Sequence, residues 1–169
     1  ENQMRKAWIA TVFSFLIAVS LLAGCQNTKE KDTDISQENI EKKSLEDIYT
    51  EITNEVELPE MVTLNDNYIA NYFGIDLSKL EEYIFVNAQE VIYADTIIIM
   101  KVKDTNDIDT MKEALETMIE HKKSELENYL PEQFKIVEKS EIKTSDSYIY
   151  LIISNDAQTI NGIIEKYIS

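Results

Sequence analysis

One cysteine, one histidine, thirty-two acidic side chains and nine tyrosines are what this chain offers for chemistry. The cysteine is the best placed of them. Cys25 follows Leu22, Ala23 and Gly24 at the close of an apolar run, the pattern of a lipoprotein signal-cleavage motif. Its thiol can take a thioether-linked diacylglycerol, and cleavage just before it would make Cys25 the new N-terminus. The small pair Ala23-Gly24 lets a peptidase approach the backbone. Arg5 and Lys6 supply the positive flank, and residues 7–22 carry no charge. That run is slightly longer than the usual apolar part of a secretory signal and falls short of the ~20 residues needed to cross a bilayer. An uncleaved membrane anchor is the competing reading.

The other groups are poorly arranged for catalysis. His121 lies between Glu120 and Lys122, beside the apolar stripe of a long helical pattern, so it reads as a solvent-facing helix residue. Without a second histidine or a spare thiol there is no familiar zinc cluster and no Cys-His pair. A Ser-His-Asp arrangement would have to use His121, and no glycine-flanked serine accompanies it. After the cysteine only Gly74 and Gly162 remain, too few for a phosphate-binding loop. Asp104-Thr105-Asn106-Asp107-Ile108-Asp109 begins like a calcium loop. It then places Ile108 where a ligand belongs and lacks the sharp-turn glycine, so helix-start chemistry is the better reading. The acids could supply a glycosidase-type carboxylate pair, but their spacing singles none out. No metal, no cofactor and no enzymatic activity are expected. Tyr68, Tyr72, Tyr83 and Tyr93 fall in an irregular middle region, where they either pack around the core or form a sugar- or peptide-binding face.

The elements that must position these groups can be read from periodicity. Residues 1–24 read as signal peptide, residues 25–43 as lipidated cysteine and disordered tether, and residues 44–169 as a single domain. The tether is polar and would span on the order of 25 Å. Ser44-Leu45-Glu46-Asp47 resembles a capping box opening a helix through Val56, which Pro59 stops. Asn65-Asp66 can cap a short helix ending at Gly74. Strands are expected over Tyr83–Ala88 and Asp95–Val102. A long helix should run to about Tyr129, with Pro131 marking its end. Phe134, Ile136 and Ile142 alternate loosely with charge, as an exposed edge strand would. Tyr148–Ile153 is a strand apolar on both faces, and Asn155-Asp156 starts a closing helix. The class is α+β, with a mostly antiparallel sheet of about four strands and helices packed on it. If the Tyr148 strand inserts beside the Ile97 strand, the spatial order is 1-2-4-3, with the Tyr83 and Phe134 strands at the edges.

Several stretches together resemble a family of short, uncharacterised lipoproteins of Gram-positive bacteria, a domain of unknown function. They are Val56-Glu57-Leu58-Pro59-Glu60-Met61, Tyr72-Phe73-Gly74-Ile75-Asp76, the apolar strand entering Lys101-Val102-Lys103-Asp104, and Tyr129-Leu130-Pro131-Glu132-Gln133. The resemblance covers the chain from about Leu45 onward. It implies an extracytoplasmic, lipid-anchored protein and brings no activity and no functional residues. Relatives often carry proline and methionine between Val86 and Tyr93, where this chain does not.

Charge narrows the partners. The formal charge is −16, and removal of Arg5, Lys6 and Glu1 with the signal would take it to about −17. Such a surface repels nucleic acid and anionic lipid headgroups. Arg5 is the only arginine, so the domain has no guanidinium clamp. The expectation is a monomer on the outer face of the cytoplasmic membrane, held through lipid on Cys25. There it would act as a non-catalytic module binding an envelope protein or peptide. The alternative is a small-molecule or peptide-binding lipoprotein, which would show an apolar cleft with convergent polar groups.

Overall fold

Ile97, Ile98, Ile99 and Met100 are consecutive and all fully buried, which a strand achieves only when both faces of its sheet are covered. The computed structural model describes residues 42–168 and shows how that cover is built. The signal-cleavage motif at Leu22, Ala23, Gly24 and Cys25, and most of the expected tether, lie outside the described residues. Ser44 caps the first helix, α1 (Leu45–Glu55), its hydroxyl accepting from the Asp47 amide at 3.1 Å. The return arm of the expected capping box differs: the Asp47 carboxylate accepts from the Ser44 hydroxyl at 2.7 Å.

After α1 come strand β1 (Met61–Thr63) and the short helix α2 (Asp66–Tyr72). The Asn65 side chain caps α2 by accepting from the Tyr68 amide, and Gly74 follows at φ +68°, a left-handed conformation that costs glycine little. Strand β2 (Leu80–Ala88) and strand β3 (Thr96–Val102) form a hairpin. Asp104 then accepts from the Asn106 amide and side chain, starting the turn that leads into α3 (Ile108–Leu126). Helix α4 (Pro131–Glu138), strands β4 (Ile142–Ser145) and β5 (Tyr148–Ile153), and helix α5 (Ala157–Ile168) complete the described chain.

The sheet has five strands, all antiparallel, in the order β1-β2-β3-β5-β4. β5 inserts between β3 and β4, so both all-apolar strands lie inside. One face, with Phe85, Ile98, Met100, Ile149, Leu151 and Ile153, packs on α2, α3 and α4. The other, with Ile84, Val86, Ile97, Ile99, Tyr150 and Ile152, packs on α1 and α5. The class is α+β, as the periodicity indicates.

Three features correct the sequence reading. Phe134 and Ile136 belong to helix α4 and not to a strand. Phe134 and Val137 stand at helical spacing with Leu130, and the fixed φ of Pro131 suits a first helical position, so this proline opens a helix. The edge strand starts only at Ile142. A three-residue strand, β1, pairs outside β2, so the strand holding Tyr83 is interior and the sheet has five strands. Tyr129 lies beyond the end of α3 and is 84% exposed.

Candidate functional site

The face toward α3 stops short of complete packing at one end. Where the β2–β3 hairpin turns, α2, the hairpin loop and the C-terminal half of α3 enclose a cavity of about 240 Å³. Helix α3 contributes Met118, His121, Lys122, Glu125 and Leu126, which one face of a helix can present at spacings of three, four and seven. Tyr68, Tyr72 and Phe73 come from α2 and its end, Asn87 and Ala88 from the end of β2, and Val91, Tyr93 and Ala94 from the loop.

The aromatic side is ordered by contact between rings. Tyr68 and Tyr72, one turn apart, stack at 4.9 Å with planes 16° apart. Phe73 meets both edge-on, at 5.6 and 5.5 Å, and stacks against the buried Phe85 at 6.2 Å, which ties the cluster to the core. The Tyr72 hydroxyl donates to Glu125 Oε1 at 3.4 Å, and that carboxylate pushes the phenol pKa above its ordinary value. His121 is exposed, its ring edge-on to Tyr72 at 6.4 Å.

Lys122 forms the polar end. Its Nζ donates to the Ala94 carbonyl at 3.0 Å and to the Thr96 hydroxyl at 2.8 Å. Thr96 Oγ1 donates in turn to Asn87 Oδ1 at 3.0 Å, and the Ala94 amide donates to Gln133 Oε1 on α4 at 2.7 Å. The hairpin is thereby stitched to two helices. Burial of the ammonium pulls the Lys122 pKa down to about 8, against the opposing pull of Glu125 and Asp95. Among the described residues Lys122 makes no ion pair, although seven other lysines do.

Of the tyrosines named from the sequence, Tyr68, Tyr72 and Tyr93 come together here. Tyr83 does not: it packs edge-on to Phe85 at 6.0 Å and donates to Asp66 at 3.0 Å. Asp104 and Asp107 are occupied otherwise, Asp104 in capping and Asp107 with Lys79 at 2.7 Å. Lys122, Glu125, Asn87 and Thr96 escaped the sequence reading. The missed signal was a lysine in register with Met118 and Leu126, a charge at a core position of the α3 stripe.

A three-layer α+β domain with an aromatic cavity and one sheltered lysine is therefore the class of molecule at hand. Residues 54–154 match the family described as Domain of unknown function (DUF4358), and the chain belongs to that family. The match contains every cavity-lining residue. No curated protein and no solved structure matches the chain significantly.

Proposed function

We propose that the protein is an extracytoplasmic module, anchored through lipid on Cys25, that binds an envelope protein or peptide without catalysis at the cavity between α2, α3 and the β2–β3 hairpin. One observation carries the binding reading. Five of the seven exposed large hydrophobic residues among those described are Tyr68, Tyr72, Val91, Ile92 and Tyr93, all on α2 or the hairpin loop. Val91 is 88% exposed. A concentration of this kind beside a concavity marks a contact surface, since scattered single residues would need no explanation. The anchor rests on the Leu22-Ala23-Gly24-Cys25 motif and the family resemblance.

Both parts can be tested in intact cells. Cys25→Ser should abolish labelling by a clickable fatty acid, and unchanged labelling would refute the anchor. A photo-crosslinking residue at Val91 should give a discrete adduct that Tyr72→Ala abolishes. The same probe at Thr53, on the exposed side of α1, should give none. Equal adducts from both positions would overturn the binding reading.

A further inference from the structure

The geometry points to a ligand class for this site: a peptide with a free C-terminal carboxylate and an apolar or aromatic last side chain, its carboxylate taken by Lys122. The inference rests on the binding reading above and goes beyond it.

Three observations converge. The first is the state of Lys122. An ammonium group has three donors, and here two go to neutral oxygens, Ala94 O and Thr96 Oγ1. In a chain where acids outnumber bases two to one, this sheltered cation lines a cavity and has no carboxylate bound to it among the described residues. An incoming carboxylate would complete its donors with a charge-assisted bond in a partly dry site.

The second is size. About 240 Å³ lies below the range usual for drug-sized ligands, and suits a single side chain with its terminal group. Tyr72, Phe73, Met118 and Leu126 give that side chain apolar walls. A small free carboxylate would fill the cavity and leave Val62 and Ile92 in water.

The third is what lies next to it. No described strand pairs with the outer edge of β1. The Glu60 carbonyl accepts from the Gln89 amide and the Leu64 amide donates to the Phe85 carbonyl, both toward β2. By the alternation of a strand, the backbone groups of Met61 and Thr63 face outward. Val62 pairs with Asn87, so it shares the cavity's face of the sheet, and it is 43% exposed. The residues preceding a bound C-terminus would find both main-chain partners and apolar surface there. Glu60, Asp66, Glu90 and Glu125 around this region disfavour acidic residues upstream in the peptide.

The test uses the full chain in detergent and N-terminally fluorescein-labelled tetrapeptides ending in phenylalanine, read by anisotropy. The free acid should bind about tenfold or more tightly than the C-terminal amide. Lys122→Met should erase that preference, and Lys122→Arg should keep part of it. Equal binding of acid and amide to the wild type overturns the inference, and this comparison needs no variant to fold. A preference that survives in Lys122→Met also overturns it. Unlabelled phenylacetate displacing the peptide at equal concentration would assign the site to small carboxylates instead. If neither peptide binds while the Val91 adduct persists, the carboxylate inference fails and the binding reading stands.

Discussion

The two faces of the sheet are made by alternate residues of the same strands, yet they end differently. Toward α1 and α5 the core is closed, and its polar margin is saturated with opposite charge. Glu51 on α1 accepts from Lys43, from Lys166 at 3.3 Å and from the Tyr167 hydroxyl at 2.6 Å. Lys43 and Lys166 also lie over the Tyr167 ring, at 4.4 and 4.8 Å. Toward α3 the packing leaves a cavity, and among the described residues the Lys122 cation that lines it donates to neutral oxygens. The same strand patterning therefore serves two ends. One face ends in paired opposite charges; the other ends in an aromatic cavity whose buried lysine is bound by neutral oxygens, an arrangement that suits recognition.

The largest test of this contrast is in the sheet itself. Ile97 and Ile98 are adjacent, fully buried and on opposite faces. Each truncation to alanine should cost about 2–5 kcal/mol in urea unfolding. A cost below about 1 kcal/mol for Ile97 would show that the α1–α5 face is not closed. The second test concerns Lys122, which Glu125, Asp95, His121 and Tyr72 surround. Its pKa is about 8 in the fold against 10.5 when solvated, so between these values the unfolded chain binds more protons. Stability should therefore rise from pH 8 toward 10, by on the order of 1–2 kcal/mol, and this contribution should be flat below pH 8, where both states hold the proton. Lys122→Met should flatten the rise. Above pH 10 the trend reverses, because burial holds the Tyr150 phenol up at about 12. The smallest effect belongs to the closed face. Its hydrogen bonds to Lys43 and Tyr167 hold the Glu51 carboxyl at about 2, below its ordinary 4.5. The stabilisation is present above pH 4.5 and is lost as the pH falls toward 2. Glu51→Gln should remove that acid sensitivity and cost about 1 kcal/mol at neutral pH, the scale of exposed ion pairs. An acid melt identical to wild type would mean that the cluster holds nothing.

The interior of the sheet was legible because nothing competes with an all-apolar strand for the centre. Tyr148–Ile153 was read with its observed bounds, and the insertion of β5 beside β3 followed from the same reasoning. Short amphipathic segments were harder. Phe134, Ile136 and Ile142 fit a period of two if Val137 is overlooked, and a period of 3.6 if it is counted. β1 has only three residues, one of them half-buried, and takes its strand character from β2. The site was half visible: the tyrosines were noticed by type, but their meeting with α3 depends on how the hairpin loop folds. Lys122 drew no reading of its own, because charge alone does not reveal that the Ala94 carbonyl and the Thr96 hydroxyl lie within its reach.

The helices that close the far face come from opposite ends of the domain, and Glu51 and Tyr167 meet across 116 residues of sequence. During synthesis, the face holding Ile97, Ile99, Tyr150 and Ile152 would have α1 as its only helical cover until α5 leaves the ribosome. Contacts of such separation are slow to form, because the whole intervening loop must be closed first. The domain is thus expected to fold late and all at once. A nascent chain halted before Ala157 would present an apolar sheet face covered by α1 alone to whatever chaperone holds it.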